Sequence, residues 1–160
     1  MKKLTYITLA LICTAIFTTC KKYPEGGTIK KGPKNIIGEW RLILYEVDGI
    51  DSTSLINYNN TDDYKHVDVT TACSDCEIHM RITGGITYEF YFSDDNISIK
   101  GKADAYYGAK TCFTFCLKEY FVPEGDSSEW QILKLDSKEM HLQMQGLHNY
   151  NLKFNKTSDG

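Results

Sequence analysis

The chain has 160 residues, 42% of them hydrophobic and 24% charged, which suits one domain with a substantial core. Its 18 basic and 21 acidic side chains leave a formal net charge of −3, and Arg41 and Arg81 are its only arginines. That balance offers no general attraction for nucleic acid and no arginine cluster for phosphate recognition.

Lys2 and Lys3 precede an apolar stretch from Leu4 to Phe17. The stretch has the length of a signal-peptide core, about 7–15 residues, and falls short of the ~20 residues of a membrane span. It ends in Phe17-Thr18-Thr19-Cys20, which resembles the lipoprotein signals of Bacteroidetes. The resemblance implies that residues 1–19 are removed as a signal peptide and that Cys20 is acylated as the new N-terminus. The protein would then be tethered to the outer membrane. Cys20-Lys21-Lys22 partly matches a surface-export signal, but the acidic residues expected after the lysines are missing. A periplasm-facing domain is therefore expected over a surface-exposed one.

Residues 20–35 read as the lipidated Cys and a flexible basic tether. Residues 21–35 hold two prolines, three glycines and five lysines. Such a chain has a root-mean-square span of roughly 20 Å. Its lysines could each add up to ~1 kcal/mol of attraction to an anionic surface, or simply keep a spacer soluble.

The folded domain is expected over residues 36–157, and its signals favour strands. Trp40, Leu42 and Leu44 share one face of an extended segment that ends at Asp48-Gly49. Ile78 to Thr83 and Ile86 to Phe92 flank Gly84-Gly85, a hairpin signature. Ser93-Asp94-Asp95-Asn96 is a turn before Ile97 to Lys100. Thr111 to Val122, rich in aromatic and β-branched residues, reads as a strand closed by Pro123-Glu124-Gly125-Asp126. Trp130 to Leu135 and Met140 to Met144 flank a turn at Asp136-Ser137-Lys138, and Tyr150, Leu152 and Phe154 alternate in a last strand. Residues 51–63 are polar and Asn-rich, and read as a loop. The expected fold is all-β: one antiparallel meander of about eight strands that removes its edges by closing into an up-and-down barrel.

Gly38-Glu39-Trp40 at the head of the first strand matches the Gly-x-Trp signature of lipocalins. With Ile37, Arg41, Leu42 and the following Val47-Asp48-Gly49, it resembles the opening of the lipocalin-like lipoproteins of Bacteroidetes. The later spacing agrees, from Tyr88, Phe90 and Phe92 through Trp130-x-Ile132-x-x-Leu135 to Leu152-x-Phe154-x-Lys156. The resemblance implies a lipocalin-like barrel with Gly38 and Trp40 as its plug. Thr-Asp-x-x-Tyr is absent, and so is a late arginine to stack on Trp40.

Of six cysteines, Cys13 lies in the signal and Cys20 would carry lipid. Cys73, Cys76, Cys112 and Cys116 remain, an even number that reads first as disulfides in an oxidising envelope. If 112–116 is extended, its two Cα atoms lie roughly 13 Å apart, beyond disulfide reach. Each cysteine must then pair with the 73–76 segment, and nesting favours Cys73 with Cys116 and Cys76 with Cys112. If 112–116 turns tightly, local bridges form instead. Zinc held with His79 is a weaker reading. A redox Cys-x-x-Cys normally opens a helix, whereas these flanks read as strand and turn.

His66, His79, His141 and His148 are scattered, and no nucleophile, zincin or phosphate-loop motif is present. Asp62-Asp63 and Asp94-Asp95 read as solvated turn acids. Asp51-Ser52-Thr53 resembles the O-glycosylation triplet of Bacteroidetes. No catalytic role, cofactor or metal is assigned. Tyr-rich strand faces suit either a small hydrophobic ligand or a packed core. The expectation is a monomeric, lipid-anchored barrel that binds a small hydrophobic ligand. The alternative is a non-catalytic interaction or structural module with a filled barrel.

Overall fold

The computed structural model describes residues 21–56, 65–72, 77–82, 86–104, 120–124 and 127–159. Over these residues the fold is all-β. Nine strands form one antiparallel sheet: β1 (Gly38–Val47), β2 (Ile50–Asp51), β3 (His66–Ala72), β4 (Glu77–Ile82), β5 (Ile86–Phe92), β6 (Ser98–Asp104), β7 (Ser127–Leu135), β8 (Glu139–Gln145) and β9 (Asn149–Ser158). Each strand from β3 to β9 pairs with its sequence neighbour. In addition β1 pairs along one edge with β9 and along the other with β3. The β3 ladder covers only Gly38 to Arg41, beyond which β1 folds back on the two-residue β2. We call the end of the sheet where β1 begins proximal; it carries the β5–β6 and β7–β8 turns. The distal end carries the β1–β2 and β8–β9 turns.

Turn chemistry follows the sequence closely. Asp48 and Gly49 both take positive φ, 51° and 81°, as a two-residue hairpin turn demands. In the β5–β6 turn Asn96 sits at φ 59°. The Asp136 carboxylate accepts the amides of Lys138 and Glu139, closing the β7–β8 turn on a side chain.

Three register shifts mark the ladders, and two of them, in β1 and β7, reset the phase of those strands. In β1, Leu42 pairs with Phe154 but Leu44 pairs with Lys153, leaving Ile43 as the extra residue. Trp40 and Leu42 are buried. Beyond the bulge the core-facing residues are Tyr45 and Val47, while Ile43 is 47% exposed. Leu44 therefore leaves the face that simple alternation assigns it. In β7 the same shift falls at Leu133, between Ile132 and Lys134, so Ser128, Trp130, Ile132 and then Leu135 are buried. The Trp-x-Ile-x-x-Leu spacing is this bulge written in sequence.

The segment that reads as a flexible tether is docked instead. Past Gln131, β7 runs beyond the start of β6 and would leave a bare edge. Residues 25–26 fill it: the Glu25 amide donates to the Leu133 carbonyl at 2.7 Å, the Leu135 amide donates to Gly26, and Gly26 bridges Lys134 in parallel. Tyr23 is the anchor, 2% exposed, with its hydroxyl donating to the Asn96 carbonyl at 2.9 Å. Burial pushes its phenol up to about 12. A 3-10 turn (Ile29–Lys31) and a four-residue α1 (Gly32–Asn35) then lead to a fully buried Ile36. Composition alone hides this, because one tyrosine and an unpaired edge outweigh the glycines and prolines around them.

Gly27 holds φ 86°, and a Cβ there would collide with the Leu135 carbonyl. Gly27→Ala is expected to release the segment at a cost on the order of 1–3 kcal/mol. Native-state hydrogen exchange reads this as faster exchange of the Glu25 and Leu135 amides. Unchanged protection of both would show that the docking does not depend on this glycine.

Candidate functional site

The place where the resemblance puts a ligand is the buried face of the sheet. Alternating apolar residues on β1, β3 and β5 to β9 point into it, and it is packed with rings. Trp40, Phe90, Tyr120, Phe121, Trp130 and Phe154 are each fully buried. Phe121 lies at the centre, stacked on Phe154 at 5.7 Å and edge-on to Phe90 at 5.7 Å. Pairs of this geometry add about 0.5–1.5 kcal/mol beyond the area they bury.

Residues 120–122, strand-like in sequence, form a turn lying across this face instead. A backbone carbonyl in such a place needs donors. The Phe121 carbonyl receives two, Ser128 Oγ at 2.7 Å and Trp130 Nε1 at 2.7 Å. The grooves found lie open on the outer surface and carry polar linings; one of about 460 Å³ runs between Lys100, Glu129, Glu124 and Gln145.

Gly38 and Trp40 sit at the proximal end, both buried. The Trp40 indole N–H donates to the Ile36 carbonyl at 2.7 Å, closing the turn that feeds β1. Lys156, from β9, places its ammonium 5.4 Å from the Trp40 ring centre and donates to the Asn35 carbonyl at 3.3 Å. A lysine, not an arginine, thus approaches this ring. The signal for it was its alternation with Phe154, which puts it on the neighbouring strand, where β9 pairs Lys156 with Trp40.

The distal end has its own organisation. The Glu124 carboxylate accepts the amides of Leu147 and His148, both at 3.0 Å. Asp48 accepts the Asn149 amide at 2.8 Å and meets His148 Nδ1 at 2.6 Å. The backbone bonds from Leu147 and His148 hold the Glu124 carboxyl below the usual range. The Asn149 amide, then His148, do the same for Asp48. Two carboxylates thus clamp the β8–β9 turn and hold Leu147 outward, 89% exposed. Ile50 and Leu55 stand out at the same end, 69% and 78% exposed. Leu147 carried no sequence signal, because a single leucine in a turn matches no period.

Asp51 caps the Thr53 amide and Thr53 Oγ1 accepts the Tyr45 amide, so the Asp51-Ser52-Thr53 triplet is an ordered turn. His141 contacts Glu25, and His66 stands apart from both. Cys20, Cys73, Cys76, Cys112 and Cys116 lie outside the described residues, as does the Asp62-Asp63 pair. Among the described residues no group of three metal-binding side chains converges, and no helix is long and apolar enough to cross a membrane. The chain matches no family model, no curated protein and no solved structure.

Two outcomes follow. Trp40→Phe removes the indole donor to the Ile36 carbonyl, and should cost about 1–3 kcal/mol in urea denaturation; an unchanged midpoint would refute the structural role of that bond. The clamp should also respond to acid. Both carboxyls have folded values below their unfolded ones, so their contribution is complete above the unfolded values, about 3.9 for Asp and 4.3 for Glu. It fades as pH falls through the lower folded values. The Leu147 amide resonance should therefore titrate below the ordinary Glu range, and Glu124→Gln should abolish that titration. An inflection at or above about 4.3 would count against the clamp.

Proposed function

We propose that this is a lipid-anchored envelope protein whose lipocalin-like barrel is filled and serves as a non-catalytic interaction module. The observation that carries the reading is the buried face itself. Six aromatic side chains occupy it, and the Phe121 turn lies where a small hydrophobic ligand would have to sit. A carrier needs a largely preformed apolar cavity, of about 300–1,000 Å³ for a drug-sized ligand.

Support for the barrel comes from the pairing of β1 with both β3 and β9, which joins the first and last long strands. The burial of Gly38 and Trp40 beside Lys156 supports the likeness to lipocalins. The lipid anchor rests on the signal and Cys20. In this reading the partner is a protein met at the distal end. Ile50, Leu55 and Leu147 supply apolar contact there, and Asp48, Asp51 and Glu124 supply an acidic rim that suits a basic surface.

A titration of the protein with a fluorescent long-chain fatty acid tests the filled barrel. No saturable binding at micromolar concentrations is expected. A one-to-one saturable complex would overturn the reading and restore the carrier.

A further inference from the structure

We infer that the docked segment of residues 21–35 is a preformed basic face that seats the protein on an anionic phospholipid bilayer. The inference rests on the reading of Cys20 as the lipid anchor and adds what the fold does with it.

Charge is divided sharply along the chain. Residues 21–35 hold five lysines against one acid, Glu25, whereas residues 36–160 hold eleven basic and twenty acidic side chains. An unstructured tether would spread those lysines through solution. Here the Ile29 amide donates to the Lys21 carbonyl and Lys22 bridges Thr28, so the chain doubles back on itself. Lys21 and Lys22 are thereby held beside the turn that carries Lys30 and Lys31, and Lys34 follows in α1. All five are exposed.

Three acids at this end pair with side chains other than the segment's lysines. Glu25 contacts His141, Glu139 contacts Lys134, and Asp159 pairs with Lys156. Asp136 is held by turn amides, and Asp95 by Ser93 and the Ile97 amide, with Lys21 near enough to favour its charged form; Glu39 and Asp94 are exposed at this end as well. Lys22, Lys30, Lys31 and Lys34 make no ion pair among the described residues. Four exposed ammonium groups on a rigid support are left facing outward. Cys20 is joined directly to Lys21, whose carbonyl is already bonded to the folded body. Acyl chains on Cys20 would therefore start one residue from Lys21 and two from Lys22. An anionic head-group layer is the surface that meets both at once, and each lysine near it can contribute up to ~1 kcal/mol.

The test uses the full processed protein, extracted from its own membrane and reconstituted in two kinds of vesicle. One is phosphatidylcholine alone; the other contains phosphatidylglycerol as well. A water-soluble amine-acetylating reagent then labels the lysines, and mass spectrometry reads each site. On the anionic vesicles Lys22, Lys30, Lys31 and Lys34 should be acetylated several-fold more slowly than on neutral ones. Lys100 and Lys153 should not change, and high salt should erase the difference, as screening requires. Equal rates on both vesicles would overturn the inference. The mass of the Cys20 peptide is read in the same digest. An unmodified Cys20 would remove the anchor reading on which the inference rests and overturn it too. An acylated Cys20 with equal lysine rates would overturn the seating alone.

Discussion

A turn can lie across an apolar sheet face only if its backbone polar groups find partners there, and the Phe121 carbonyl does. Ser128 and the Trp130 indole both donate to it in a region shut off from water. Left unpaired, a buried carbonyl would cost about 1–3 kcal/mol, and the turn would be driven out of the face. Paired twice, it holds Phe121 against Phe90 and Phe154. The same rule governs the proximal end, where the Ile36 carbonyl takes the Trp40 N–H. Both tryptophans thus fill volume and tie irregular chain to the sheet.

The two bulges convert these local bonds into an overall shape. Without the one at Ile43, Tyr45 and Val47 would face solvent, because a shift of one residue turns every later side chain over. Tyr45 instead packs near Tyr120 and Tyr150, and extends the ring cluster toward the distal end. The bulge at Leu133 works in the opposite direction. It carries burial on to Leu135 just beyond the start of β6, and so leaves a carbonyl and an amide free for Glu25 and Gly26. The docking of the N-terminal segment is thus a consequence of strand lengths that do not match.

Much of this was legible beforehand. Asp48-Gly49 marks a tight turn because both positions need positive φ, and Asp136 marks another because its side chain can bond the next amides. Alternation at Tyr150, Leu152 and Phe154 gave the last strand its face. What escaped was decided by non-local contacts. Leu44 obeys alternation in sequence and loses it to a bulge that only the pairing with β9 reveals. Tyr120, Phe121 and Val122 have strand-like composition, but their burial comes from crossing the face as a turn. Tyr23 sits among prolines, glycines and lysines, and its hydroxyl bonds Asn96, more than seventy positions away.

These misses share one physical cause, and it shapes the functional reading. Local propensity describes a segment in water, whereas each of these segments is decided by a partner that supplies hydrogen bonds or a dry surface. The filled face and the docked N-terminus are both cases of irregular chain captured by the sheet. The first fills the buried face with aromatic rings. The second turns the fifteen residues next to Cys20 from a leash into part of the body. Joined through the neighbouring carbonyls of Asn35 and Ile36, which meet Lys156 and Trp40, the basic segment and the aromatic core form one continuous hydrogen-bonded unit. The docked basic segment and the clamped distal turns are thus held by one packed aromatic core.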